Sequence, residues 1–186
     1  MGAFDSRDLA IDLRLPDLSA GSPRRDDSHY EILREIARGA ATIVYEARNR
    51  YSGRLVVMKA KNPDALNREA GAAGIGRAAR ALGAVIHPNV VELHDAGPDY
   101  VIMEKLEGRS LEGILAARRR LPLEEVLYIA RCIGGALGYA HRRGVVHRDI
   151  RPSNILLCRR PYGTEAVKLI DWSSAHTEAD EPRRDR

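Results

Sequence analysis

Cysteine is scarce in this 186-residue chain, which holds only Cys132 and Cys158. They stand far apart in sequence and in apolar surroundings, unlike the paired spacing of a zinc site or a dithiol redox motif, so both are expected as reduced core residues. The six histidines include no HExxH and no other metal-ligand spacing, which argues against a structural metal. Long apolar runs are missing as well. None approaches the roughly 20 residues needed to cross a bilayer, so no membrane span is expected. The N-terminus lacks the basic-then-apolar order of a secretory signal, and a cytoplasmic protein is expected. Nor does charge of one sign dominate: 30 basic and 26 acidic side chains leave a formal +4, with short clusters such as Arg118, Arg119 and Arg120. Clusters of that size are ordinarily solvated helix ends or loops, so no nucleic-acid partner is expected. No internal repeat is present, which excludes solenoids and arrays.

What is there is 44% hydrophobic and 30% charged, the balance of a soluble globular chain long enough for one domain or two small lobes. Residues 1–28 carry Asp, Arg, Ser, Gly and Pro around one alternating stretch, Leu9, Ile11, Leu13 and Leu15, and are expected as a flexible leader. From Tyr30 the runs "YEILREIARG", "TIVYEARN" and "RLVVMKA" predict a β-meander, with turn residues at Asn49 to Gly53. An Ala- and Gly-rich segment over about 63–83 predicts a helix that packing must hold, because each interior glycine costs about 1 kcal/mol relative to alanine. Two further strand-like runs, "VVELHDAG" and "YVIMEKL", lead through Gly108 to a short helix near Ser110 to Arg119. A second helix begins near Pro122, places Val126, Ile129, Ile133, Leu137 and Ala140 on one stripe, and stops before Gly144. Strand, polar loop and strand follow, with a turn at Pro161 to Thr164.

The chemistry concentrates in "HRDIRPSN", His147 to Asn154. Phosphoryl transfer needs a carboxylate aimed at the nucleophile and oxygen ligands for a hard cation, and Asp149 and Asn154 offer both on one loop, with Arg151 adding a cation. Three more segments stand in a telling order around it: "IARGAATIVYEA" with Gly39, "VVMK" ending in Lys59, and "LIDWSS" with Asp171. Together they resemble the eukaryotic-type (Hanks-type) Ser/Thr protein kinase family over about residues 30–176. The resemblance implies an α+β, protein-kinase-like fold. A β-rich N-lobe with one main helix and the hinge would occupy 29–106, a truncated, mainly helical C-lobe with the catalytic loop 107–176, and a polar tail 177–186.

By the same resemblance, ATP and Mg2+ are the expected cofactors. Asp149 would receive the substrate hydroxyl proton, and Arg151 would touch the transferred phosphate where Ser/Thr kinases usually have lysine. Asn154 and Asp171 would bind magnesium, while Lys59 and Gly39 would hold phosphates. Ile36, Val44 and Leu156 are expected against the nucleotide, with Met103 as gatekeeper and the backbone of Glu104 and Leu106 at the base. The pattern departs from the family in places. Ala37 and Thr42 stand for two of the loop glycines, and Trp172 and Ser173 for the Phe and Gly after the magnesium aspartate. The family pairs its strand lysine with a helix glutamate, and Glu69 is the acidic residue within the predicted helix; either the helix is extended and Glu69 faces Lys59, or the ion pair is missing. The short polar stretch after Asp171 is not expected to supply an activation loop, an Ala-Pro-Glu motif or supporting helices. The expected function is therefore a Ser/Thr protein kinase acting on a protein substrate, the alternative being a truncated, catalytically silent chain that binds nucleotide or a regulatory protein partner.

Overall fold

Strand periodicity after Tyr30 becomes a sheet. A computed structural model describes residues 29–159 and 165–177; the expected leader, the turn at Pro161 to Thr164 and the tail from 178 lie outside the described residues. Strands β1 (Tyr30–Arg38), β2 (Thr42–Asn49) and β3 (Leu55–Lys61) form an antiparallel meander. With β4 (Leu93–Ala96) and β5 (Tyr100–Glu104) they make a five-stranded sheet in the order β1-β2-β3-β5-β4. Asn49 closes the β2–β3 turn, its carboxamide oxygen accepting the N–H groups of Tyr51 and Ser52, the local bonding that makes asparagine a turn residue. The pleat then divides the sheet. Val56, Met58 and Ala60 are buried with Ile43, Tyr45, Ala47 and Ile102 on one face, which leaves Val57, Lys59 and Lys61 for the other.

Helix α1 (Arg68–Ala84) begins at Asn67, whose side chain accepts the N–H of Ala70, satisfying one of the donors that a helix start leaves open. Its intrinsic stability is low, as its glycines predict, and Ile75, Ala78, Ala81 and Leu82 hold it by burial. One glycine is required by contact: a Cβ on Gly71 would stand 2.5 Å from the carbonyl oxygen of Ala41 in the β1–β2 turn. Gly83, by contrast, has nothing within 4 Å of an added Cβ. Gly83→Ala should therefore stabilise the chain by about 0.5–1 kcal/mol, while Gly71→Ala should destabilise it by about 1–3 kcal/mol. Denaturation midpoints of the two variants check the opposite signs; equal stabilisation would mean that the turn gives way freely.

After β5 come β6 (Gly108–Ser110), α2 (Leu111–Arg118), α3 (Leu123–His141), β7 (Val145–Val146), a 3-10 turn (Pro152–Asn154), β8 (Ile155–Arg159), β9 (Glu165–Leu169) and β10 (His176–Thr177). Strands β6, β8 and β9 form a small sheet, and β10 pairs with β7. Helix α3 buries Ile129, Ile133, Ala136 and Ala140. Val126, expected on the same stripe, is instead 45% exposed, and Leu123 and Leu127 beside it are exposed too. The apolar stripe runs to the helix start, but its burial begins in full only at Ile129. Gly144 adopts φ +68° just past the helix, the left-handed turn that its position suggested. The main core joins α1, α3, β9 and Trp172. The chain before β4 is laced to β9: Leu169 N–H donates to Asn89 O at 2.8 Å, Val91 N–H to Leu169 O at 3.0 Å, and the Asn89 carboxamide to Val167 O at 2.8 Å. Cys158 is buried and Cys132 half-buried, neither in a disulfide. The result is the expected α+β architecture.

Candidate active site

The loop from His147 to Asn154 is organised around a buried imidazole. His147 is 1% exposed, with Nε2 3.0 Å from the Ile170 carbonyl oxygen and Nδ1 3.2 Å from the Asp149 N–H. A carbonyl only accepts, so Nε2 carries the proton and Nδ1 accepts, which defines one neutral tautomer. Burial pushes the His147 pKa below its ordinary value, outweighing the Ile170 carbonyl and the negative charges of Asp171 and Asp149. Asn154 is buried, and its Nδ2 donates both to Asp149 Oδ2 and to the Asp149 carbonyl, each at 2.9 Å. One carboxylate oxygen of Asp149 is thereby oriented. The Asn154 carbonyl in turn accepts the Ile170 N–H at 2.9 Å, so the loop is bonded to the residue just before Asp171.

Lys59 Nζ lies 2.6 Å from Asp171 Oδ1, and the Ser173 N–H donates to the same oxygen at 3.3 Å. Burial opposes ionisation of Asp171, but the Lys59 charge and hydrogen bond, helped by Ser173, hold its carboxyl below the ordinary carboxylate value. Asp171 and Arg148 both sit in the left-handed region, at φ +58° and +66°, where a non-glycine residue is uncommon.

Of the two alternatives left open for Glu69, the structure has the one without the ion pair. Glu69 is exposed in the first turn of α1 and forms no ion pair with Lys59, whose carboxylate partner is Asp171. The reason is rotational. Gly71 faces β3, close to Lys61 Cβ, and Gly74 faces the segment after Asp171, close to Ser173. Glu69 precedes Gly71 by two residues, about 200° around the helix axis, and so faces away.

The other expected residues divide. Gly39 lies in the tight β1–β2 turn, its N–H bonded to Thr42 O at 2.9 Å. Val44 pairs directly with Lys59 across β2 and β3, so the two share a sheet face. Ile36 falls in the β-bulge between Glu35 and Ala37 and is 45% exposed. Met103 and Leu106 pack on the main core, and β5 has strands on both sides. Leu156 pairs with Lys168 on the side whose ammonium reaches the Glu104 carboxylate. Arg151 is exposed, 3.9 Å from a Glu112 carboxylate oxygen, too long for a hydrogen bond.

Sequence reasoning missed four features. Buried Asn62 holds the β1–β2 turn, its Nδ2 donating to Gly39 O at 3.1 Å and its N–H to Ala41 O at 2.9 Å. Lys168 ties Glu104 to β9 through an ion pair, while Glu104 Oε1 also accepts the Glu92 N–H. Glu46 is buried between Lys105 and Arg34, at 2.5 and 2.6 Å, and the Lys105 hydrogen bond leads in lowering its pKa against burial. Arg77 reaches the Ser173 carbonyl from α1. Only the lysine inside the apolar run "VKLID" carried a signal in sequence.

The donor chemistry suits a magnesium ion. Asp171 Oδ1 is occupied by Lys59 and Ser173, which leaves Oδ2; Asn154 spends its Nδ2 on Asp149, which leaves Oδ1. Among the described residues no group of three or more His, Cys, Asp or Glu could hold a metal. A site of one carboxylate and one amide oxygen fits a cation that keeps waters and takes its other ligands from substrate phosphates.

A fold with this lysine–aspartate pair and an aspartate–asparagine loop behind a five-stranded sheet defines the class of protein. Residues 30–184 match the family "Protein kinase domain", and the chain belongs to that family. It is 33% identical over 166 residues to a probable serine/threonine-protein kinase of Streptomyces coelicolor, covering 85% of this chain and 24% of that protein. Serine/threonine-protein kinase PrkC of Bacillus subtilis is 34% identical over 138 residues, 72% of this chain and 21% of PrkC. Serine/threonine-protein kinase PknD of Mycobacterium tuberculosis is 32% identical over 155 residues, 81% of this chain and 23% of PknD. The chain thus spans less than a quarter of the length of these curated relatives.

Proposed function

We propose that this chain carries the nucleotide site and catalytic loop of a Ser/Thr protein kinase, which transfers the γ-phosphoryl group of ATP to a protein hydroxyl. The observation that carries the reading is the Asp149–Asn154 pair, built on a loop bonded through His147 and Asn154 to the residue preceding Asp171. A base, an amide oxygen and a second carboxylate are held in one hydrogen-bonded frame, as phosphoryl transfer requires.

In this reading Asp149 takes the proton of the attacking Ser or Thr hydroxyl as its oxygen bonds to the γ-phosphorus and the bond to the ADP oxygen breaks. Lys59 turns its ammonium from Asp171 to the α- and β-phosphates, and the Gly39 turn, braced by Asn62, covers them. Asn154 Oδ1 and Asp171 Oδ2 would hold a magnesium ion, which would offset phosphate charge. Ile36, Val44, Met103, Leu106 and Leu156 line the base, with the Glu104 and Leu106 backbone supplying its hydrogen bonds. Arg151 swings from Glu112 towards the transferred group. The substrate is a protein hydroxyl. No helix among the described residues is long and apolar enough to cross a membrane, and a cytoplasmic site of action accords with ATP as phosphoryl donor.

A thermal-shift titration with Mg-ATP tests the site, since a ligand that binds only the native state adds about 2.7 kcal/mol at a hundred times its Kd. The wild-type transition should rise with Mg-ATP. Lys59→Met should need about 10–100 times more nucleotide for the same rise, the loss of one charge-assisted contact. A wild-type transition that ignores Mg-ATP would overturn the reading.

A further inference from the structure

Helix α1 offers no carboxylate to Lys59, yet it is bonded to the segment that carries Asp171. Arg77 Nε donates to the carbonyl oxygen of Ser173 at 2.8 Å, a partly buried bond across 96 positions of sequence. The donor is the inner nitrogen of the guanidinium group, so the backbones must lie close. Gly74, one turn before Arg77, faces the same residue: a Cβ there would stand in ordinary van der Waals contact, 3.6 Å from Ser173 Cβ.

Both backbone groups of Ser173 are thereby engaged. Its N–H donates to Asp171 Oδ1 and its carbonyl accepts from Arg77. The Trp172 side chain between them adds no polar contact, since its Nε1 is buried without a hydrogen-bond partner. Asp171 meanwhile holds φ +58°, a conformation that persists when surrounding contacts over-determine it.

We infer that Arg77 is a positioning residue for Asp171: through the Ser173 backbone it makes α1 the support that aims the free carboxylate oxygen at the cation. The chain of bonds runs from α1 through Arg77, Ser173 and Asp171 to Lys59 on β3. Its polarity is the reverse of a helix glutamate paired with the strand lysine. Here the helix donates to the metal-facing segment, and the lysine answers to that segment directly. A shift of α1 therefore changes cation affinity first and phosphate contact second. This inference rests on the nucleotide-site reading above.

Trp172 is the one tryptophan in the sequence and adjoins Asp171, so its fluorescence reports on this segment. The test titrates Mg2+ at fixed ATP into the full chain, and separately titrates ATP without Mg2+. Arg77→Met keeps the aliphatic stem but removes the donor. It should raise the half-saturating Mg2+ about tenfold, or about 1.4 kcal/mol, while Mg2+-free ATP affinity stays within about twofold. Arg77→Lys, which keeps a charged donor, should recover most of the loss. A merely structural arginine would lower the unfolding midpoint and leave the Mg2+ dependence alone. Wild-type Mg2+ dependence in Arg77→Met overturns the inference, and so does an equal loss for Mg2+-free ATP. A wild-type chain that does not respond to Mg2+ and ATP at all overturns the nucleotide-site reading itself, and this inference with it.

Discussion

Asp149→Asn is expected to lower phosphoryl transfer by about 10²–10⁴-fold, the share typical of a positioned general base, while Mg-ATP affinity stays within about twofold. The substitution is nearly isosteric, and the contacts around it are mostly backbone. The Asp149 N–H to His147 Nδ1 and the Asn154 Nδ2 to the Asp149 carbonyl are untouched. An asparagine at 149 can still present its amide oxygen to Asn154 Nδ2, where the carboxylate Oδ2 now accepts. What disappears is the capacity to take a proton. Transfer of labelled γ-phosphate to a pool of Ser- and Thr-containing peptides, run beside the thermal-shift titration, separates the two effects. Equal transfer by both proteins would remove Asp149 from the chemistry.

The legible parts of this fold were those written locally. The run "RLVVMKA" announced β3, and the spacing of Ile129, Ile133 and Ala140 announced the inner side of α3. The loop from His147 to Asn154 stood out as a contiguous motif, and its residues bond to one another within eight positions, His147 to Asp149 and Asp149 to Asn154. Contacts made between distant elements were not. Asn62 and Arg77 act on carbonyl oxygens far away in sequence, and a carbonyl belongs to every residue alike, so no residue pattern marks the recipient. The two alternatives for Glu69 stayed open in the sequence for a related reason: which way a helix is turned depends on where it can approach, and here Gly71 marks that face. Val126 obeyed the helical period and stayed exposed, because periodicity identifies an apolar stripe without saying how much of it is covered.

Trp172 combines both kinds of information and carries the largest expected stability effect. It is 1% exposed in the main core and meets His147 at 4.6 Å between ring centres, tilted by 66°, an edge-to-face contact. Trp172→Ala should therefore cost about 3–5 kcal/mol, a large part of the 5–15 kcal/mol that typically separates folded from unfolded states. Trp172→Phe should cost far less. It gives up part of the ring but also removes Nε1, which is buried without a partner, and relief of such a donor is worth about 1–3 kcal/mol. The two terms oppose each other, so the net change should stay within about 1 kcal/mol. Denaturant unfolding followed by far-UV circular dichroism measures both variants without the tryptophan signal. If Phe proves as costly as Ala, the lost part of the ring outweighs the unpaired N–H. Phosphotransfer by the Phe variant adds a second reading: His147 donates to Ile170 O and accepts from Asp149 N–H, so a ring that keeps His147 in place should keep the catalytic loop in place as well.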